Sequence, residues 1–342
     1  MATMADVARH AGVSLSTVSY VLSGKRSISG PTRERVLSAI AATNFAPNAR
    51  GQALASRRSR TIVLLFPALA HDLGTMNMEF VDGTLQTARE HGYSVMISVS
   101  DDPYEETERA ARRGFADGVL VMEVELEDPR VALLQARDFP FALIGHQRDN
   151  AGIDFVDLDF AHAIGLCLDH LAELGHRRVG LLLPLIPTRS ASYGPSSRSR
   201  EAFTAGLATR GLTGELFICP ATATGGYDIV SRITATDPGM TGLIANSPQL
   251  VPGMLRAGRA AGLDVPDDLS IMALASHRVA EAASPPLTAV DFPAVEMGRL
   301  GAEMLIARLE DGPASRPTQH LLRGDLTLRG TTGPAPRRPP PP

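Results

Sequence analysis

Over the first 45 residues, apolar positions recur every three to four places. That spacing is the signature of amphipathic helix. It predicts three short helices. The first covers Met4–Ala11, with Thr3 as N-cap and Gly12 as the stop. The second follows Ser14 and runs over residues 15–22, ending at Ser23-Gly24. The third follows Ser29-Gly30-Pro31, a serine with proline in the first turn, and covers residues 32–41. Val7, Ala8, Val18, Val21, Leu22, Val36, Leu37 and Ile40 fall on the inner faces and are expected to share one small core.

From residue 61 the pattern changes. The run Thr61-Ile62-Val63-Leu64-Leu65-Phe66-Pro67 is apolar without alternation, as a parallel strand covered on both faces would be. Strands and helices then take turns. Strands are expected at 93–99, 118–122, 141–145, 179–184, 215–219, 241–245 and 270–274. Helices are expected at 81–90, 105–113, 130–137, 161–174, 200–210, 225–236 and 248–261. Alternation of this kind predicts doubly wound parallel sheets. Arg58-Ser59-Arg60 precedes one strand and Arg177-Arg178 another, which points to two like subdomains. Residues 331–342 are rich in proline, with Pro339 to Pro342 unbroken. They are expected to be disordered or extended.

Charge separates the two regions. Residues 1–60 hold nine Lys or Arg against Asp6 and Glu34, whereas the remainder holds 24 basic against 35 acidic residues. A basic end on an acidic body suggests that this end meets a polyanion. Cys167 and Cys219 are too few for a disulfide framework or a cysteine metal site. Cys167 sits in Ile164-Gly165-Leu166-Cys167-Leu168 and is expected to be an inert buried thiol. The start lacks a signal-like apolar stretch, and no run is long enough for a membrane span. A cytoplasmic protein with no membrane partner is therefore expected.

The second helix carries the most specific chemistry. A helix that enters the major groove must be slim, and it needs short hydroxyl side chains at close approach. Ser14, Ser16, Thr17, Ser19 and Ser23 supply them, and the helix N-terminus adds backbone N–H groups for phosphate. Serine is a mediocre helix former, so five hydroxyls here are a poor choice for stability alone.

The string Asp6-Val7-Ala8-x-x-Ala11-Gly12-Val13-Ser14-x-Ser16-Thr17-Val18-Ser19-x-Val21-Leu22 resembles the DNA-binding headpiece of the lactose-repressor (LacI/GalR-type) family. Thr32-Arg33-Glu34-Arg35-Val36 and Pro47-Asn48 continue the match. Leu171-x-x-Leu174-Gly175-His176-Arg177-Arg178-Val179, Val265-Pro266-Asp267-Asp268-Leu269-Ser270 and Ser284-Pro285-Pro286-Leu287-Thr288 extend it through the rest of the chain. The resemblance implies an all-α helix-turn-helix headpiece plus hinge helix, followed by an α/β core of two doubly wound parallel-sheet subdomains, similar to a periplasmic sugar-binding protein. The corresponding divisions are a headpiece over 1–48, a hinge helix and linker over 49–60, a core of two interleaved subdomains over 61–330 and the tail 331–342.

By position in that family, Leu15, Ser16 and Tyr20 would face base edges. Leu15 would suit a thymine methyl, and Ser16 and Tyr20 would hydrogen-bond. Ser14, Thr17, Ser19, Ser23, Ser29, Thr32 and Asn48 would contact phosphate. Tyr20 stands where an arginine is common. Residues 49–56 match the hinge helix. Such a length is marginal alone in water, and Gly51 costs about 1 kcal/mol relative to alanine, so this helix is expected to order on DNA. Leu54 stands where the family inserts a leucine between base steps of the minor groove.

The family's core binds a small-molecule effector between its subdomains and couples it to DNA affinity. Strand ends mark that cleft, and Asn77, His146, Arg198 and Asn246 are the candidate effector residues, with Arg200 as an alternative to Arg198. The sequence departs from the family here. Ala275 replaces an expected aspartate, Ser247-Pro248 replaces an Asn-Asp pair, and the arginine near Phe203 is out of register. With no Trp and few aromatics, a plain sugar is a less obvious ligand than usual. His170 and His176 are expected to serve the turn between helix and strand.

The expected function is that of a sequence-specific DNA-binding transcriptional regulator, a repressor by the family's habit. It would bind a double-stranded, pseudo-palindromic operator as a homodimer, under control of a small molecule. The alternative is a regulator whose core no longer binds a sugar and answers to another ligand or to none. An enzyme is not expected. Phe66-Pro67-Ala68-Leu69-Ala70 after the first core strand is a poor phosphate turn, and no cofactor or metal is implied.

Overall fold

The computed structural model describes residues 2–23, 26–45, 59–67, 74–100, 102–112, 115–185, 192–312 and 316–336. The chain forms two compact units, Met1–Ser59 and Arg60–Pro342.

The first unit contains α1 (Met4–Ala11), α2 (Leu15–Ser23) and α3 (Gly30–Thr43). Helix α1 opens on a reciprocal cap. The Thr3 hydroxyl accepts from Asp6 N–H, and the Asp6 carboxylate accepts from Thr3 N–H at 2.9 Å. The bonds donated to it by Thr3 N–H and the Thr3 hydroxyl hold the Asp6 carboxyl below its usual range. The helix ends at Gly12, whose φ of 62° is left-handed and whose N–H returns to Ala8 and Arg9. A Cβ there would meet no neighbour within 4 Å, so glycine is needed for backbone angle rather than space. Gly12→Ala is therefore expected to destabilise this unit by roughly 1–2 kcal/mol, read as a lower urea midpoint for the headpiece transition in far-ultraviolet circular dichroism. Val7, Ala8, Ala11, Val18, Val36 and Ala39 form the core, with Val21, Leu22, Ile40 and Phe45 against it. Leu37 does not join them. It is 50% exposed, because helix α3 presents positions 36, 39 and 40 inward and 37 falls on the next face.

The second unit contains two six-stranded sheets. The first is built from β1 (Thr61–Pro67), β2 (Ser94–Ser100), β3 (Gly118–Met122), β4 (Phe141–Ile144), β5 (Phe155–Leu158) and β11 (Gln319–Leu322). The second is built from β6 (Arg178–Leu185), β7 (Thr213–Pro220), β8 (Gly242–Ala245), β9 (Ser270–Ala275), β10 (Thr288–Asp291) and β12 (Leu326–Thr327). Their strand orders correspond: β11-β5-β4-β3-β1-β2 and β12-β10-β9-β8-β6-β7. Every pairing is parallel except β10 with β12. The likeness suggested by the two Arg-led strands is thus a repeat of topology.

Helices lie on both faces of each sheet. They are α4 (Thr75–Glu90), α5 (Pro103–Ala110), α6 (Pro129–Ala136), α7 (Phe160–Glu173), α8 (Gly194–Thr209), α9 (Ala223–Thr236), α10 (Val251–Ala260), α11 (His277–Ala282) and α12 (Ala294–Asp311). A 3-10 turn, Pro248–Leu250, precedes α10. Alternate residues of β1 feed opposite cores. Ile62 and Leu64 pack with α4 and α12, while Val63 and Leu65 pack with α5 and α6. Burial on both sides is why the run lacks alternation. The chain crosses between subdomains after β5, after β10 and after β11, so α12 and β11 complete the first sheet from the far end of the sequence.

Eight elements differ from the sequence expectation. Helix α4 begins at Thr75 rather than 81, and α8 at Gly194 rather than 200. Strands β5, β10, β11 and β12 and helices α11 and α12 carried no expectation. Helix α12 is broken up in the pattern by Gly298 and Gly301. Those glycines admit close contact: a Cβ on Gly298 would fall within 3.0 Å of the Phe80 carbonyl oxygen.

The tail is also different. Residues 331–336 are folded onto the second subdomain, contrary to a disordered or extended tail. Thr331 is fully buried, and its hydroxyl accepts from Thr288 N–H at 2.9 Å. Ala335 N–H donates to the Leu174 carbonyl at 2.8 Å. His176 binds Thr241 Oγ1, Ser270 Oγ and the Gly333 carbonyl, and His170 binds Thr332 Oγ1. Burial lowers the pKa of both histidines. Both serve the turn after α7, and in addition they fasten this segment. High proline content hides the contacts of Thr331 and Thr332 in the sequence. Residues 337–342 lie outside the described set. Cys167 is buried with its thiol pKa pushed up, and Cys219 is pushed up to about 11, so both act as packing.

Candidate functional site

The turn Gly12-Val13-Ser14 sets α2 against α1. Val13 N–H donates to Ala8, and Ser14 Oγ accepts from Thr17 N–H at 3.2 Å, capping α2. Ser14 Oγ also shares hydrogen bonds with Ser16 Oγ and Thr17 Oγ1, each at 2.8 Å. Val18 is fully buried and anchors the helix from below. The opposite side presents Ser14, Leu15 and Ser16, with Leu15 53% exposed. Thr17, Ser19 and Tyr20 are partly buried. An exposed leucine beside a hydroxyl cluster has no packing role within this unit.

Ser29 stands before α3 without capping it through its side chain. Its hydroxyl instead donates to Thr32 Oγ1 at 2.9 Å. Ser23 ends α2. Asn48 and Leu54 lie outside the described residues. One residue was missed from sequence. The Arg26 guanidinium lies 5.9 Å from the Tyr20 ring centroid, a cation–π distance. The sequence shows the charge of Arg26 but not its neighbour, because the two residues meet only across the turn after α2.

In the second unit, residues just past the carboxyl ends of β3, β4 and β9 bond across the two subdomains. Leu126 N–H donates to the Ser192 carbonyl, and Gly194 N–H to the Val124 carbonyl. Ser192 Oγ donates to Glu125 Oε2 at 3.0 Å. Farther along, Ser276 Oγ donates to Glu79 Oε1 at 3.0 Å, and Arg278 Nε lies 3.7 Å from the same oxygen.

Of the candidate effector residues, His146 and Arg198 meet directly. His146 Nδ1 is 2.8 Å from Asp157 Oδ2, and its ring stacks on Phe155 at 4.9 Å. Arg198 Nη2 donates to the His146 carbonyl at 2.6 Å and Gln147 at 3.3 Å, and Nη1 lies 3.7 Å from Asp157. Burial lowers the Arg198 pKa, opposed by Asp157. Asn246 is tied within its own subdomain, where Oδ1 accepts from Ser199 Oγ at 2.7 Å. Asn77 lies in the first turn of α4, buried, with Nδ2 lacking any hydrogen-bond partner. Asp157 is not legible in the sequence because it interrupts the short apolar run of β5, and Ser199 is flanked by Arg198 and Arg200, whose charge dominates the local pattern. Among the described residues, no cluster of His, Cys, Asp and Glu could hold a metal ion. No helix there is long and apolar enough to cross a membrane.

Comparison with known proteins bears on both units. Residues 3–48 match the family described as bacterial regulatory proteins, lacI family, and residues 168–332 match a periplasmic binding protein-like domain. The chain is 30% identical to the HTH-type transcriptional regulator AglR of Rhizobium meliloti, over 96% of this chain and 94% of that one. It is 28% identical to the HTH-type transcriptional regulator MalR of Streptomyces coelicolor, over 97% of each. Its fold is shared with the lac repressor dimer bound to operator and the anti-inducer ONPF, at a TM-score of 0.83 and 23% identity over 97% of this chain and 99% of that one. It is also shared with a transcriptional regulator CelR–cellobiose complex, at a TM-score of 0.72 and 24% identity over 97% and 100%. With these matches spanning the chain from headpiece to core, the protein belongs to the LacI family of DNA-binding transcriptional regulators.

Proposed function

We propose that this regulator is a repressor that reads a pseudo-palindromic operator as a homodimer, in the cytoplasm, and that a small molecule in the core cleft changes its affinity for DNA. The observation that carries the reading is the outward face of α2, where exposed Leu15 sits beside the linked hydroxyls of Ser14, Ser16 and Thr17. Leu15, Ser16 and Tyr20 contact base edges; Ser14, Thr17, Ser19, Ser23, Ser29, Thr32 and Asn48 contact phosphate. Leu54 enters the minor groove. Arg26 steadies Tyr20 and adds charge toward the backbone.

Dimer formation has support in the edge strands. Strand β2 exposes Met96, Ile97 and Val99, and β7 exposes Ile218. Flat, apolar edges invite pairing with another chain, and a two-fold dimer matches two related half-sites. Tyr20→Ala is expected to cost about 1–3 kcal/mol at one operator position and to relax base preference there. Leu54→Ala is expected to remove minor-groove protection at the operator centre. Footprinting of both variants on the operator tests this; unchanged protection and affinity in both would refute the assignment.

A second reading concerns the signal. Ala275 is fully buried where the family pattern has an aspartate, and Ser199 is occupied with Asn246. These residues favour an effector other than a plain sugar. A thermal-shift screen against neutral sugars separates the readings, since a shift restores the sugar.

A further inference from the structure

The cleft differs from an ordinary polyol site in its balance of donors and acceptors. Its carboxylates are engaged by the protein. Glu79 accepts from Ser276, Glu125 accepts from Ser192, and Asp157 accepts from Leu158 N–H and is bonded to His146. Glu123, at the end of β3, has a partner as well. Three further buried polar atoms at the starts of helices, among the described residues, make no hydrogen bond: Asn77 Nδ2, Arg198 Nη1 and Ser196 Oγ. Two of these groups can only donate. Asn77 and Ser196 are each more than nine-tenths buried. An unmade bond at a buried donor is costly, so such groups are placed for something that completes them.

Their positions correspond in the two halves. Asn77 is the third residue of α4, which follows β1, and Ser196 is the third residue of α8, which follows β6, with Arg198 two residues further on. Strands β1 and β6 hold equivalent places in the two sheets. Helix α8 has no side-chain N-cap, and its first turn is the positive end of a sixteen-residue helix. The guanidinium folds back over Gly194, where a Cβ would collide with Arg198 Nη1. Arg198 therefore keeps one nitrogen for its bonds across the cleft and the other for a further acceptor.

We infer that the effector bears an oxyanion, a carboxylate or a phosphate on a small hydroxylated molecule, held by Arg198 and Ser196 at the start of α8 and by Asn77 from α4. This rests on the reading that the cleft binds an effector. Asp157 sits against Arg198 and limits its free charge, so recognition depends on the geometry of several donors rather than on net charge alone.

The test uses the full-length protein and three ligand sets: small aldonic and uronic acids, the matching sugar phosphates, and the neutral parent sugars. Melting temperature and operator affinity are read together. At 100-fold excess over its dissociation constant, one anionic set is expected to raise the melting temperature by about 5 °C, with the neutral parents silent. Which anionic set responds separates carboxylate from phosphate. Ser196→Ala is expected to weaken that ligand about tenfold without changing the ligand-free melting temperature. Arg198→Gln is expected to abolish the response, and Arg198→Lys to restore part of it. If neutral parents bind as well as the acids, or Ser196→Ala and Arg198→Gln bind the acids unchanged, the anion inference fails while the cleft reading stands. If no ligand in any set moves either readout, both fail.

Discussion

Val18→Asp is expected to abolish operator binding while leaving the melting transition of the core in place. Val18 is fully buried among Val7, Ala8, Ala11, Val36 and Ala39, with Val21, Leu22, Ile40 and Phe45 packed against them. None offers a donor to a carboxylate. Burying an unpaired charge costs above about 4 kcal/mol, and a single core of this size supplies only about 3–5 kcal/mol. The reading helix then has no platform. Because residues up to Ser59 form their own compact unit, calorimetry should retain the core transition. Anisotropy with labelled operator should fall to the non-specific level, roughly 1,000-fold weaker. Retained tight binding would mean that α2 does not need this core.

Gly253→Ala is expected to lower the melting temperature of the core by about 6–12 °C, from a loss of about 3 kcal/mol. Helices α9 and α10 cross where Gly253 faces Ala223. A Cβ on Gly253 would sit within 3.0 Å of the Ala223 carbonyl oxygen and the Tyr227 nitrogen, both backbone atoms that cannot rotate away. The helices would have to part, and Met254 and Leu255 would lose packing with them. Gly258 in the same helix is the control. A Cβ there meets its nearest neighbours at 3.7 Å, so Gly258→Ala should be neutral or stabilising by up to about 1 kcal/mol. Equal melting temperatures for the two variants would contradict close helix crossing.

These two sites also show what a sequence can and cannot disclose. The headpiece was legible because its signals are local. Thr3, Gly12, Ser14 and Ser29 mark helix ends by chemistry that acts within a few residues, and Val7, Val18 and Val36 mark inner faces by period. Leu37 was misplaced because a three-helix core uses a narrower face than the apolar pattern offered. The β1 run was legible because both of its faces are covered. Helix α12 was not, since Gly298 and Gly301 read as breakers until α4, more than 200 residues earlier, supplies the surface they fit. Strand β5 is hidden because Asp157 interrupts its short apolar run, and that same Asp157 organises His146 and Arg198. Residues 331–336 read as tail because composition outweighed Thr331 and Thr332, whose partners Thr288 and His170 lie far back in the chain. In the cleft, residue types pointed to Asn77, His146, Arg198 and Asn246, but only the structure separates those with a bond left to make from Asn246, which is already tied to Ser199.

The most direct test is anisotropy of the full-length protein against a labelled duplex from upstream of its own gene, with a scrambled duplex of equal length, at one fixed physiological salt concentration. A sequence-reading headpiece predicts binding to the native duplex roughly 1,000-fold tighter than to the scrambled one, with protection falling on two half-sites related by a two-fold axis. Equal affinity for both duplexes would contradict it.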